Sequence, residues 1–284
     1  MVNSTRAVLF FVLFASVQAF ALSGTLIDVK DIIPQVCRVI FNSGEMCSGE
    51  IIGKKVISLA DHCGMLMVKK QEHSRSLGKI RCYGEKEEFE ISEVKQISAE
   101  FITKITGEHF KNSILPRAGE LEPIENARFD IAAAVIEGEF KAKPLPIAKT
   151  SQFNAIQAAL ATPGACHIYG VGTNSFGIAG YGRAHGVEAP LFRAIAGPTN
   201  PLILKGETGV AANDSGGPLT CNVDGENVLV GIVSGGNGVV YSPDSEATKY
   251  NVVVSYFAFV GDPAVNAWLT TLISDESQPK QAAN

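Results

Sequence analysis

Three short segments carry side chains that together can run nucleophilic acyl transfer. The first is Asn213-Asp214-Ser215-Gly216-Gly217-Pro218-Leu219. A serine followed by two glycines fits a tight turn in which no bulky neighbour shields the hydroxyl. A turn of this kind also aims successive backbone N–H groups to one side, as a developing oxyanion requires. The second segment, Val56-Ile57-Ser58-Leu59-Ala60-Asp61-His62-Cys63, places a histidine just beyond an apolar strand and beside a cysteine that can pin it. The third, Phe129-Asp130-Ile131-Ala132, puts a lone acid at the head of a buried run. A buried carboxylate is costly unless hydrogen-bonded, so Asp130 needs a partner such as an imidazole N–H. Taken singly, the serine turn is more often only a turn, His62 a structural histidine and Asp130 a strand-start cap. Taken together they supply a nucleophile, a base and an acid to orient the base. Asp61 adjoins His62 but is given no part in this set.

The elements that must position these residues read as strands. Gln35 to Phe41 is β-branched and apolar, and Glu50-Ile51-Ile52 and Val56 to Leu59 flank Gly53-Lys54-Lys55 as a hairpin. Phe89 and Ile91 alternate with acids, as on a half-exposed strand, while Ile131 to Ile136 and Val228 to Ser234 read as buried strands. Lys69 to Glu90 is charged and reads as solvated loops and an exposed strand. Gly164 to Gly186 is dense in glycine and reads as loops joining short strands. One helix is evident, over residues 263–274, where Asp262 caps, Pro263 suits the first turn, and Val265, Trp268, Leu269 and Leu272 form an apolar stripe. Many short strands with a docking helix predict an all-β fold, with paired barrels as one form it can take.

Composition narrows the classes. An apolar fraction of 46% against 19% charged residues fits an ordered globular protein. The formal charge of −5, without a basic stripe, offers no footprint for nucleic acid. Arg6, the apolar run Ala7 to Val17 and the small-x-small Ala19-Phe20-Ala21 predict a signal peptide over residues 1–21, with Leu22 as the mature N-terminus. No later stretch reads as membrane-spanning, so the expected product is soluble and secreted, without a membrane partner. Six cysteines in an oxidising compartment suggest three disulfides, with fifteen pairings open on sequence alone. No metal site is expected, because no Cys-x-x-Cys or close Cys/His cluster is present.

The order His62, Asp130, Ser215 resembles the trypsin/chymotrypsin family of serine peptidases. Asp61-His62-Cys63 is similar to that family's Ala-His-Cys, Asp130-Ile131-Ala132 matches its Asp-Ile-Ala, and residues 213–219 match Gly-Asp-Ser-Gly-Gly-Pro-Leu with Asn213 for the first glycine. Cys166 to Gly172 and Gly231 to Gly236 resemble two further family segments, each lacking the tryptophan. The resemblance spans nearly the whole chain after residue 21. It implies two packed six-stranded antiparallel Greek-key barrels, at about 30–140 and 145–260, with a C-terminal helix. A peptidase domain would then cover 22–274, followed by a polar tail, 275–284.

The same resemblance implies roles. Ser215 would attack the scissile carbonyl, His62 would move the proton, and Asp130 would orient His62. The N–H groups of Asn213 and Ser215 would hold the oxyanion. Gly209 would floor the specificity pocket, and Ser234, Gly235 and Gly236 would pair with the substrate backbone, giving a preference for apolar or aromatic residues unless Asp244 or Glu246 enters the pocket. Asp214 would receive the N-terminal amine, here that of Leu22. Cys47–Cys63 and Cys166–Cys221 correspond to family bridges, which leaves Cys37 for Cys82, a pair outside the usual pattern; Ala211 occupies a position of the bridge beside the pocket. Substrates would be proteins or peptides, the controlling partners protein inhibitors, the state monomeric, and no cofactor is called for. The competing expectation is an inactive homologue of the same fold that binds a partner.

Overall fold

The computed structural model describes residues 29–42, 44–69, 77–108, 127–172, 185–189, 198–206, 209–210, 213–238 and 253–275. The expected signal peptide, Leu22, Ala211, Asp244, Glu246 and tail residues 276–284 lie outside them.

Six strands close the first sheet: β1 Val36–Phe41, β2 Met46–Ile51, β3 Val56–Leu59, β4 Gly78–Cys82, β5 Phe89–Gln96 and β6 Ala132–Ile136. They run in the order β1-β2-β3-β6-β5-β4, and every pairing is antiparallel. Alternation along each strand sorts the side chains. Val39, Ile51, Ile57, Leu59, Ile80, Ile91 and Ala134 fill the barrel. The intervening Ser48, Glu50 and Ser58 face outward yet are wholly buried, which marks the surface on which the rest of the chain packs.

The second sheet has six strands as well: β7 Cys166–Gly170, β8 His185–Glu188, β9 Leu202–Gly206, β10 Pro218–Val223, β11 Glu226–Gly238 and β12 Val253–Phe259. Its order is β8-β7-β10-β11-β12-β9. A second barrel is not seen to close: among the described residues no pairing joins β8 to β9. Ile168, Leu202, Leu204, Leu219, Val230, Phe257 and Phe259 form its core.

Three helices beyond the expected one stand among the described residues: Asp61–Lys69, Ala99–Thr106 and Phe153–Leu160. The expected terminal helix is present at Pro263–Asp275, with Asp262 Oδ1 accepting the N–H groups of Ala264 at 2.8 Å and Val265 at 3.3 Å. Its Val265, Trp268 and Leu269 pack on Ile52 and Val56 from the barrel and on Leu229 and Ile232 from the second sheet. The helix thus seals the junction between the two sheets, each fully buried aliphatic side chain contributing about 1.5–3 kcal/mol. Disulfides join Cys37–Cys82 within the barrel, Cys47–Cys63 beside His62 and Cys166–Cys221 in the second sheet. No described helix is long and apolar enough to cross a membrane.

Candidate active site

The pairing of β3 with β6 brings His62 to Asp130. Leu59 at the end of β3 lies opposite Ala132 at the start of β6, so the residue three beyond the first strand meets the residue two before the second. His62 stands in the first turn of the helix Asp61–Lys69, whose Cys63 and Gly64 N–H groups bond back to Ala60 O at 3.1 and 3.2 Å. The Cys63 disulfide to β2 fixes that turn against the barrel.

Asp130 is 6% exposed, and its carboxylate is well provided for. Oδ1 accepts the His62 backbone N–H at 3.0 Å; Oδ2 lies 2.8 Å from His62 Nδ1 and accepts the Ser234 hydroxyl at 2.5 Å. A carboxylate can only accept, so the proton sits on Nδ1 of a neutral His62, which leaves Nε2 as the basic atom. Burial alone would push the His62 pKa down, but the charge of Asp130, its hydrogen bond and the charge of Asp61 outweigh this and raise it.

Ser215 lies in the turn leading into β10 and is half-buried. The turn is closed by Gly217 N–H to Asp214 O at 2.8 Å and tied to β11 by Gly216 N–H to Val233 O at 2.7 Å. Its proximity to the His62 segment is set by Gly216, at φ +86°, where a Cβ would lie 2.9 Å from Ala60 N and 3.1 Å from Leu59 Cα. No side chain larger than hydrogen fits there. Among the described residues no hydrogen bond joins the Ser215 hydroxyl to the His62 ring.

Asn213 adopts φ +71°, the left-handed conformation that glycine takes without cost and asparagine tolerates better than most residues. Asp214 is fully buried, and its Oδ1 accepts the Gly172 N–H at 2.9 Å.

The expected substrate-contacting residues fall close together. Gly209 is buried beside Val210, whose side chain sits where a Cβ on Gly236 would come within 2.8 Å. A Cβ on Gly235 would meet nothing within 4 Å. β11 pairs with β12 along Gly235 and Gly236, and its other edge leaves β10 after Ile232, with no described strand beyond that point. Ser234 is the residue skipped where the β11–β12 register shifts, and its side chain turns to Asp130.

Three nearby residues were not singled out in the sequence. Gln96 Nε2 donates to the nearly buried Asp61 carboxylate at 2.6 Å; Asp61 is pushed up to about 6, chiefly by burial. Buried Ser255 Oγ accepts the Val210 N–H at 3.1 Å, beneath the expected pocket. Ser48 donates its N–H to Ser215 O at 2.9 Å. None belongs to a motif, so only spacing from Cys47 could have pointed to Ser48.

No family model matches the chain, and no curated protein matches it. Among solved structures it is similar to the secreted serine protease VesC from Vibrio cholerae, with 14% identity and a TM-score of 0.52. The match covers 87% of this chain and 47% of that one, so the chain spans less than half of that protein's length. At this identity the likeness is one of fold, into which the closed six-stranded barrel fits.

Proposed function

We propose that the chain is a secreted serine endopeptidase that hydrolyses peptide bonds through an acyl-enzyme on Ser215. The observation that carries this reading is the buried Asp130 carboxylate, which holds His62 by both its backbone and its ring. A structural histidine needs one partner; one gripped at two points, with its second nitrogen left over, is oriented for proton transfer.

In this reading His62 Nε2 takes the Ser215 proton as the hydroxyl oxygen bonds to the scissile carbonyl carbon. The proton then passes to the leaving amine as the C–N bond breaks. Water attacks the acyl-enzyme by the same route in reverse. The N–H groups of Asn213 and Ser215 stabilise the tetrahedral oxyanion in both halves. The edge of β11 at Ser234 to Gly236, which no strand covers among the described residues, adds the substrate as a strand. The small, uncharged Gly209 and the neighbouring Val210 support a preference for apolar or aromatic side chains. The three disulfides support an exported protein, and the substrates are proteins or peptides.

A second reading, an inactive homologue that binds a partner, is favoured by the missing hydrogen bond between Ser215 and His62. Digestion of a peptide library separates the two. The peptidase reading expects cleavage by the wild type, after apolar or aromatic residues, and none by Ser215→Ala. Folded wild-type protein that cleaves nothing supports the second reading.

A further inference from the structure

We propose that Ser48 is a positioning residue for the nucleophile turn, acting through its hydroxyl on the Asn213 carbonyl. The role rests on the reading of Ser215 as nucleophile. Ser48 lies on β2, facing away from the barrel core, and is wholly buried. Its Oγ donates to Asn213 O at 2.9 Å and accepts the Val171 N–H at 2.9 Å, while its own N–H donates to Ser215 O at 2.9 Å. One residue of the barrel therefore holds the turn at two carbonyls and ties both to the segment that follows β7.

The geometry gives these contacts a specific consequence. A carbonyl and the next residue's N–H share one rigid plane, so pinning Asn213 O fixes the 213–214 plane, and pinning Ser215 O fixes the 215–216 plane. The 214–215 peptide, which carries the Ser215 N–H, is bracketed between them. Asn213 itself sits at φ +71°, a conformation a non-glycine residue keeps only where its surroundings over-determine it. The Ser48 hydroxyl supplies that constraint. Being buried, it cannot exchange Asn213 O for water without leaving a polar group unpaired. Ser48 is wholly buried and its described hydrogen bonds go to Asn213, Val171 and Ser215 rather than to His62, so its effect falls on how the turn is held when charge develops on the oxyanion.

The test compares wild type with Ser48→Ala for peptide hydrolysis, for inhibition by a peptidyl boronate that mimics the tetrahedral adduct, and for hydrogen exchange of the segment 213–217. In an active wild type, the expected result is a fall in kcat of about tenfold or more with KM within about twofold. Boronate affinity should fall in parallel. A kcat and boronate affinity within about twofold of wild type, or a loss confined to KM, overturns the proposal, whatever happens to thermal stability. If wild type itself proves inert, the peptidase reading fails and exchange decides the matter. Faster exchange across 213–217 in Ser48→Ala upholds the positioning role, and unchanged exchange overturns it. Should Ser48→Ala not fold, Ser48→Gly removes the same hydroxyl on the same strand and carries the same measurements.

Discussion

Asp130 engages His62 twice, through its backbone N–H at 3.0 Å and through ring Nδ1 at 2.8 Å. The first contact fixes where the helix Asp61–Lys69 begins; the second fixes which way its first-turn imidazole faces and which nitrogen carries the proton. A single carboxylate thus couples the register of two barrel strands to the tautomer of the proposed base.

Asp130→Asn tests that coupling. An amide can offer an N–H to Nδ1, which favours the wrong tautomer while keeping the shape. The expected loss in kcat is about 10⁴-fold with the fold intact. Steady-state kinetics and circular dichroism check it; a loss under about tenfold would contradict the proposed role for Asp130.

Asp61→Asn tests the second acid. Ionised above about 6, Asp61 helps to raise the His62 pKa. Besides His62 and Asp130, the neutral Gln96 faces it, while Glu93 and Lys95 of the adjacent strand pair with each other at 3.7 Å. Removing the charge lowers the His62 pKa, so the base form persists to lower pH. The acid limb of kcat/KM should move down by roughly a unit or less, as read from a pH–rate profile; a limb that stays put denies the coupling.

Glu50→Gln addresses stability. Glu50 is fully buried, with the Ser58 hydroxyl on Oε1 and no partner at Oε2. Burial, the largest influence, raises its pKa well above the ordinary 4.5. Because the folded state holds the proton more tightly, its stabilising effect is complete below the unfolded pKa and is lost as pH rises through the folded one. Urea unfolding at about pH 5 and about pH 8 should show wild-type stability falling with pH and a flatter dependence in Glu50→Gln. Equal slopes would show that Glu50 does not titrate as its burial requires.

Arg128→Ala probes the clamp behind the site. Arg128 Nε donates to the fully buried Asp262 at 2.8 Å, Nη1 donates to Glu108 at 3.0 Å, and the guanidinium stacks 4.5 Å over Phe129. Its removal strands the acid that caps the terminal helix, and a destabilisation of about 3–5 kcal/mol is expected by denaturant titration. A change below about 1 kcal/mol would mean that water or a rearranged neighbour replaces the arginine.

Asn213 offers a paired test. Asn213→Gly suits φ +71° and should leave stability and acylation near wild type. Asn213→Ala meets a left-handed penalty of about 1–2 kcal/mol, seen as a lower melting temperature or a slower acylation rate. An alanine variant equal to the glycine variant in both would show that the turn is not held left-handed.

The local pattern of the chain made the barrel strands and the terminal helix legible. Ile57 and Leu59 alternate with Ser58, and Asp262-Pro263 announces a helix start. The three segments bearing His62, Asp130 and Ser215 were legible because each carries an unusual residue in a buried or glycine-rich setting. The helix Ala99–Thr106 had its signals, with Ser98 Oγ accepting Phe101 N–H and Gly107 at φ +73°, but eight residues give little periodicity to read. The helix at His62 contains Gly64 and is held by a disulfide, a tertiary constraint that propensity does not show. Whether the second sheet closes depends on how distant strands meet. The strand period assigns Ser48 and Ser255 to a face of β2 and of β12 but says nothing of what their hydroxyls meet, so their partners appear only once the chain is folded.

Labelling purified, folded protein with a fluorophosphonate probe, beside Ser215→Ala, tests the central claim most directly. The peptidase account predicts a stoichiometric adduct mapped by mass spectrometry to Ser215 and absent from the variant. Folded wild-type protein left unlabelled, or labelled equally in Ser215→Ala, would contradict it.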